Sequence, residues 1–239
     1  MVDYTILKIK DKSDSYYTHL KDIFDIPMRL IIVGKSFLSG KSTIILNLLL
    51  RDTFYKDHFK GENIYIVSNN KMDLKMQILK EEKDVPPDNF MEYSEANLEM
   101  IYEKVEEDAM SAVADGDKPV NALVILDDCA FGGDLKAKIN GTLSRLMCQG
   151  RHCNCSVIIT SQKYTQLSTT IRSNASGAIL FGNSMKEVDS MEADLNYLDN
   201  KKDFVKLFRK ATEGRNKFLV VNFSNDNIYL DSEFKPISF

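Results

Sequence analysis

Two short groups of polar residues each follow a run of aliphatic residues, and their residue types suit the handling of phosphate. The first group is Gly40-Lys41-Ser42-Thr43, which stands between the aliphatic run 29–33 and a second apolar run at helical spacing. This order predicts a strand, a phosphate-binding loop and a helix. Backbone N–H groups at a helix N-terminus attract phosphate oxygens. Gly40 would allow close approach, Lys41 would contact the terminal phosphates, and Ser42 would be a ligand of Mg²⁺.

The loop departs from the usual form of this motif. The first glycine of G-x-x-x-x-G-K-[ST] should stand at position 35, which is Lys35, and Gly34 lies one residue too early. Either the loop is one residue longer than usual, or Lys35 takes a position that favours glycine for its backbone freedom. We include Gly34, Lys35, Ser39 and Thr43 among the candidate nucleotide contacts. The alternative is an ordinary strand, turn and helix with a chance Gly-Lys-Ser.

The second polar group is the pair Asp127-Asp128, which ends the apolar run 122–126. A nucleotide-hydrolysing site needs one acid that reaches Mg²⁺ and another that positions the attacking water. Asp127 would take the first role and Asp128 the second. A third polar side chain, Gln162, follows the apolar run 156–160 and would hydrogen-bond the water or the γ-phosphate. The alternative for the acids is a buried strand that runs into a turn holding two aspartates.

Composition limits the class of protein. The chain has 239 residues, of which 44% are hydrophobic and 28% charged, so it can bury a substantial core. Its formal net charge of −4 argues against a protein that coats nucleic acid with its whole surface. Four cysteines, without a signal peptide or an apolar run long enough to span a membrane, predict a soluble, reduced, intracellular protein. We expect an N-terminal extension over 1–26, with a short edge strand at 1–10, and a core over 27–239.

Strand and helix signals alternate along the core, which predicts an α/β fold with a mostly parallel sheet flanked by helices. After the first strand and helix, we expect strands at 63–67, 123–127, 156–162 and 178–181. Helical spacing predicts helices at 72–83, 97–114, 134–150, 185–195 and 203–211. The runs 217–223 and 227–230 predict a C-terminal β-hairpin.

Two further patterns suggest other chemistry. Asn70-Lys71-Met72-Asp73 has the form of the guanine-specifying motif of GTPases, but it precedes the strand that ends in the acid pair, whereas in GTPases it follows that strand. Cys148, His152, Cys153 and Cys155 carry zinc-binding side chains. Structural zinc sites use separated pairs such as C-x₂₋₄-C, and a single short cluster does not supply them.

Four motifs in a fixed order resemble one known family. They are Gly-Lys-Ser-Thr at 40–43, Ile-Leu-Asp-Asp-Cys-Ala at 125–130, Gly-Arg-His-x5-Ile-Ile-Thr-Ser-Gln at 150–162, and Ile-Arg-Ser-Asn-Ala at 171–175. In this order they look like the genome-packaging ATPases of large DNA viruses and virophages, the poxvirus-type branch of the FtsK/HerA P-loop translocases. The resemblance covers roughly residues 28–223.

The resemblance implies a RecA-like sheet in which the strand 156–160 lies between the phosphate-loop strand and the strand that ends in the acids. By position, Lys41 and Ser42 match the Walker A lysine and hydroxyl, and Asp127 and Asp128 match the Walker B pair. Many relatives have glutamate where this chain has Asp128. Gln162 matches the polar sensor. These matches imply ATP and Mg²⁺ as cofactors.

Arg151 matches the arginine finger that reaches the neighbouring subunit's site. It could equally be a cation at a helix C-terminus, where it would interact favourably with the helix dipole. Arg145 and Arg172 are rival candidates for the finger. We keep all three open at this stage.

The resemblance also implies partners and a location. It implies a homo-oligomeric ring, usually a hexamer, that moves double-stranded DNA through a central channel, docks on viral capsid proteins, and acts in the host-cell cytoplasm or the virion. Lys136 and Lys138 are candidate DNA contacts, or else solvated helix lysines. Two alternatives to the ATP-driven motor remain: a P-loop nucleotide kinase, and a non-hydrolysing assembly protein of the same fold.

Overall fold

The central element of the structure is a β-sheet whose strands are built from aliphatic runs. The structure is a computed structural model and describes residues 15–21, 23–36, 40–70, 72–129, 141–225 and 228–237. Side chains of these strands are buried on both faces, as expected for a parallel sheet covered by helices. The strands are β1 Arg29–Val33, β2 Ile64–Ser68, β3 Phe90–Met91, β4 Ala122–Asp127, β5 Cys155–Ser161, β6 Gly177–Phe181, β7 Phe218–Asn222 and β8 Tyr229–Leu230.

The order of the strands in the sheet is β3-β2-β4-β5-β1-β6-β7-β8. The strands from β3 to β6 in this order pair in parallel, whereas β7 is antiparallel to β6 and to β8. β5 pairs with β1 on one side and with β4 on the other, so the prediction of an inserted strand between them is confirmed. The predicted C-terminal antiparallel pair is also present.

Seven helices in the described ranges cover the sheet. They are α1 Lys41–Leu50, α2 Leu74–Glu82, α3 Glu95–Ala114, α4 Thr142–Gln149, α5 Thr169–Asn174, α6 Met185–Leu195 and α7 Lys201–Thr212. Side-chain caps start several of them, for example Ser94, which accepts from the Asn97 N–H at α3. None of the described helices is long and apolar enough to cross a membrane.

The described helices differ from the predicted ones at α4 and α5. The helix predicted over 134–150 is described only as α4, which begins at Thr142, because residues 134–140 lie outside the described ranges. The short helix α5 was not predicted; Ser168 caps it by accepting from the Ile171 N–H at 3.3 Å. The edge strand predicted over 1–10 also lies outside the described residues.

The core has two parts, one on each face of the sheet. Alternate residues of β1 point to opposite faces, so that Ile31 and Val33 lie in one part and Leu30 and Ile32 in the other. The first part is completed by α3, α4, α6 and α7, and the second by α1 and α2. The sheet is thus the middle layer of three.

Residues that precede β1 pack into the second part of the core. Phe24 and Ile26 are buried there, and the Tyr55 hydroxyl donates to the Phe24 carbonyl at 2.7 Å. The Phe24 ring lies where Gly177 has no side chain: a Cβ at Gly177 would be 2.3 Å from Phe24 Cε1. This close approach explains the glycine at the start of β6.

Candidate functional site

The phosphate-binding loop connects β1 to α1 at the carboxyl edge of the parallel strands. Gly40 has φ 82° and ψ 18° and immediately precedes α1, so it takes the left-handed conformation that glycine adopts without strain. The N-cap residue of α1 is Gly40, and no side-chain hydrogen bond caps the N–H groups of the first turn. Such an N-terminus can bind phosphate.

Lys41 lies at the mouth of this loop with its ammonium group directed back at the chain. Its side chain donates to the Gly34 carbonyl at 2.8 Å and to the Lys35 carbonyl at 3.4 Å, and the residue is 8% exposed. Burial lowers the pKa of the Lys41 ammonium, while the carboxylates of Asp128 and Asp127 act in the opposite direction. A cation held in this way can contact the terminal phosphates of a nucleotide.

The irregular start of the loop creates no left-handed residue at Lys35. Among the described non-glycine residues with positive φ, Lys35 does not occur, so its position does not require the freedom of glycine. Gly34 donates its N–H to the Ser161 carbonyl at 3.0 Å, which extends the β1 pairing with β5 by one residue. The candidate contact Ser39 lies outside the described residues.

The acid pair lies at the end of β4, next to α1. Asp127 is 3% exposed, and the Ser42 hydroxyl donates to its Oδ2 at 3.5 Å. Burial raises the pKa of the Asp127 carboxyl, whereas the hydrogen bond from Thr160 lowers it. A carboxylate beside a hydroxyl offers the hard oxygen ligands that Mg²⁺ prefers, and a buried carboxylate gains from a nearby cation. Ser42 and Asp127 therefore fit a magnesium site.

Thr160, in β5, joins the two acids and was not among the predicted site residues. Its hydroxyl donates to Asp127 Oδ1 at 2.8 Å and accepts from the Asp128 backbone N–H at 3.0 Å. The register pairs Leu126 of β4 with Ile159 of β5, so the next residues, Asp127 and Thr160, are neighbours. One buried hydroxyl thus holds both the Asp127 carboxylate and the Asp128 backbone.

Asp128 and Gln162 meet just beyond the ends of β4 and β5. The Gln162 amide donates to Asp128 Oδ1 at 3.2 Å. Asp128 has φ 53°, a left-handed conformation that is uncommon for residues with a side chain and that directs it away from the line of the strand. The structure therefore brings together Lys41, Ser42, Asp127, Asp128 and Gln162, which the sequence separates widely.

The sequence predicts ATP hydrolysis at this site. On that expectation, replacing Thr160 with valine should lower kcat/KM about 10-fold, because Asp127 and the Asp128 N–H would each lose a buried partner. The side chain keeps its branched shape, so the packing of β5 should persist. The measurement is the rate of phosphate release over a range of Mg·ATP concentrations.

The matched control for this substitution is Thr160→Ser, which keeps the hydroxyl. We expect the serine variant to stay within about three-fold of the wild type. A valine variant as active as the wild type would show that the hydroxyl bridge does not orient the acids.

A cavity of about 550 Å³ opens beside the loop. Residues 40–43 form one wall, residues 73–75 at the start of α2 form a second, and Arg215 with Asn216 form a third. Lys75 donates to the Thr43 hydroxyl at 2.7 Å, which links α2 to the first turn of α1. The sequence patterns did not indicate the third wall.

Arg151 lies at the amino-terminal end of β5, whereas the phosphate-binding loop, the acids and Gln162 lie at the carboxyl ends of the strands. It belongs to the 3₁₀ turn Gly150–Cys153, just before β5, whereas Gln162 follows the end of β5. The seven residues of β5 span about 20 Å, more than an arginine side chain can reach. Arg151 is exposed, and its Nε donates to His152 Nε2 at 3.5 Å. It is therefore available to another molecule but not to the acids of its own chain.

The two rival arginines are engaged within the chain. Arg145 forms an ion pair with Glu99 at 2.6 Å, and its guanidinium lies 4.2 Å from the centre of the Tyr102 ring. Arg172 forms an ion pair with Asp194 at 2.5 Å, and only 17% of its side chain is exposed. These contacts favour Arg151 among the three candidates.

Of the remaining sequence patterns, the one at 70–73 contributes a structural side chain, Asp73. Asp73 caps α2 by accepting from the Lys75 N–H at 2.8 Å and the Met76 N–H at 3.3 Å. Lys71, Lys136 and Lys138 lie outside the described ranges. The four cysteines are free, and the described part of the chain contains no group of three or more His, Cys, Asp or Glu side chains placed to hold a metal ion.

A comparison with protein-family models matches residues 16–235 to the family described as Poxvirus A32 protein. None of the curated protein sequences matches the chain. The matched range includes the phosphate-binding loop, both acids, Gln162 and Arg151.

Solved structures similar to this chain have the same fold. The genome packaging NTPase B204 from Sulfolobus turreted icosahedral virus 2, in complex with AMPPCP, is 14% identical, with a TM-score of 0.54, over 82% of this chain and 92% of that chain. B204, the DNA-packaging ATPase from Sulfolobus turreted icosahedral virus, is 15% identical, with a TM-score of 0.55, over 83% and 93%. EssC (ATPases 2 and 3) from Geobacillus thermodenitrificans is 15% identical, with a TM-score of 0.58, over 85% and 38%. The predicted fold class is confirmed.

Proposed function

This chain belongs to the Poxvirus A32 protein family, and from that premise we propose that it is an ATP-hydrolysing motor that packages a viral genome by moving double-stranded DNA. The observation that carries the proposal is the hydroxyl of Thr160, which joins Asp127 and Asp128 beside the phosphate-binding loop. The fold shared with B204, described as a genome packaging NTPase and a DNA-packaging ATPase, supports it.

The chain's own groups would bind ATP at the start of α1. The N–H groups of the first turn and the Lys41 ammonium would hold the β- and γ-phosphates. Ser42 and Asp127 would hold Mg²⁺, which when bound neutralises charge on the phosphates. Thr160 donates to Asp127 Oδ1, so Oδ2, which lies beside the Ser42 hydroxyl, is the oxygen that would bind the metal together with Ser42.

Hydrolysis would depend on Asp128 and Gln162. Asp128 would orient the attacking water and accept its proton, and the Gln162 amide, which donates to Asp128 Oδ1, would hold that carboxylate in place. The backbone of Asp128 is held by Thr160, so the acid is oriented before substrate arrives. Retention of this set of residues argues against the non-hydrolysing assembly protein.

Arg151 would complete the site of the neighbouring subunit. It is exposed and lies at the amino-terminal end of β5, too far from Asp127 and Asp128 of the same chain to reach them. It can therefore act as a finger only in trans. An arginine that stabilises transition-state charge in trans makes hydrolysis depend on assembly. Head-to-tail contacts of this kind close into a ring when the rotation between subunits permits it, and we propose a hexamer.

DNA would be gripped through local cations, because the net charge of −4 excludes a generally basic surface. Lys136 and Lys138 remain our candidates for these contacts. We further propose that the ring docks on capsid proteins and acts in the host-cell cytoplasm or the virion.

The test of this function is the steady-state rate of ATP hydrolysis per subunit, measured over a range of protein concentrations with and without double-stranded DNA. We expect the rate per subunit to rise with concentration, because the site is complete only in the assembly, and to rise further with DNA. A rate that is constant with concentration and unaffected by DNA would contradict the motor. Transfer of phosphate to a nucleotide acceptor would favour the kinase.

A further inference from the structure

The turn between α7 and β7 lies beside the phosphate-binding loop although it is far from it in sequence. Because β7 runs antiparallel to β6, with Phe218 opposite Phe181, β7 begins at the edge where β6 ends. Residues 213–217 therefore lie at the carboxyl edge of the parallel strands. Asn216 Oδ1 is 4.0 Å from the position that a Cβ on Gly40 would take. The turn is thus a wall of the cavity described above.

Arg215 is the cationic side chain of this turn. It is exposed, lines the cavity with residues 40–43, and has no ion pair or hydrogen bond to another residue in the part of the chain that the structure describes. Gly214 and Asn216, on either side of it, both have positive φ, at 105° and 61°. A guanidinium without an internal carboxylate partner, facing a phosphate-binding loop, is suited to an anionic ligand.

The strand order indicates which part of a nucleotide Arg215 would face. Asp128 and Gln162 follow β4 and β5, which lie on one side of β1, whereas Arg215 precedes β7 on the other side. In the proposed function the phosphates would lie between them, at the start of α1. Since the γ-phosphate would have to face Asp128 to react, the α-phosphate and nucleoside would extend towards β6 and β7.

We propose that Arg215 binds the nucleoside monophosphate portion of the nucleotide in its own subunit, an inference that rests on the proposed function. The guanidinium would pair with the α-phosphate oxygens or stack on the base. This portion is common to ATP and ADP and does not change during hydrolysis. Arg215 therefore contributes equally to the binding of substrate and transition state, and its loss raises KM without lowering kcat. The loss of Arg151, which would act on the γ-phosphate, is expected instead to lower kcat and to leave ADP affinity little changed.

The experiment compares the wild type with Arg215→Ala in direct binding of ADP and of a non-hydrolysable ATP analogue by titration calorimetry. We expect the dissociation constants of both nucleotides to rise about 10-fold, with kcat at saturating ATP within about two-fold of the wild type. Arg209→Ala is the matched control, because Arg209 is exposed on α7, does not line the cavity and contacts Met185. We expect it to bind both nucleotides as the wild type does.

The outcomes separate this inference from the proposed function. If the wild type binds both nucleotides and Arg215→Ala binds them equally well, the inference is wrong and the proposed function stands. A loss of kcat with unchanged ADP affinity would also overturn the inference, since Arg215 would then act at the γ-phosphate.

If Lys75→Ala weakens ADP binding and Arg215→Ala does not, the nucleoside lies over α2 instead. A wild type that binds neither nucleotide overturns both. Arg215→Gln, with thermal melting of each variant, guards against a folding defect.

Discussion

Replacing Lys41 with alanine is expected to reduce ATP hydrolysis by roughly 10²–10³-fold, the range seen when one group that stabilises transition-state charge is removed. Lys41 is 8% exposed and is fixed by the carbonyls of Gly34 and Lys35, so its charge is already in place when a nucleotide binds. Lys41 also faces the carboxylates of Asp128 and Asp127, which act on its pKa, so its loss leaves both acids without that cation. The measurement is phosphate release at saturating Mg·ATP.

The control for this prediction is Lys56→Ala, which removes an exposed lysine that pairs with Asp52 at 2.7 Å. Exposed pairs of this kind contribute little to stability, so the control should melt and hydrolyse ATP almost as the wild type does. Hydrolysis by Lys41→Ala at the wild-type rate would place the reaction somewhere other than the phosphate-binding loop.

Replacing Arg151 with alanine is expected to reduce kcat by about 10³-fold or more, while ADP affinity changes little. The reason is geometric: Arg151 lies across the length of β5 from its own acids, so its effect must arise in the site of a neighbour. Its substitution should cost little stability, because its side chain is exposed and its hydrogen bond within the described residues goes to the neighbouring His152. The measurement is kcat at protein concentrations where the rate per subunit has reached its plateau.

Arg145→Ala is the control for Arg151. It removes the exposed ion pair with Glu99, so we expect only a small loss of stability and a rate within a few-fold of the wild type. If Arg145→Ala loses kcat and Arg151→Ala does not, Arg145 is the finger and the assignment made here is wrong.

Much of the fold could be predicted because its signals are local. An aliphatic run followed by Gly-Lys-Ser-Thr predicts β1 and α1, and Met185–Leu195 has the helical spacing that α6 shows. The ordered motifs predicted the family, and the match over residues 16–235 confirms that resemblance. The position of β5 between β1 and β4 followed from the resemblance and not from spacing, because periodicity carries no information on strand order.

The residues that were missed depend on tertiary pairing. Thr160 reads as one more residue of a buried strand, and its role appears only when the register sets it beside Asp127. A polar residue at the end of an otherwise apolar strand was the available signal. Arg215 and Asn216 enter the site because β7 is antiparallel, which no local pattern around residue 215 reveals.

The most direct test of a site completed in trans mixes two inactive variants. In a ring of Lys41→Ala and Arg151→Ala subunits, a subunit with intact Lys41 can receive Arg151 from a neighbour that lacks only Lys41. At equal amounts, random mixing completes about one quarter of the sites, so we predict recovery of about a quarter of the wild-type ATPase rate. Lys41→Ala mixed with the double variant is the control, because that mixture contains no complete site. A mixture of the two single variants that stays as inactive as this control would contradict the account.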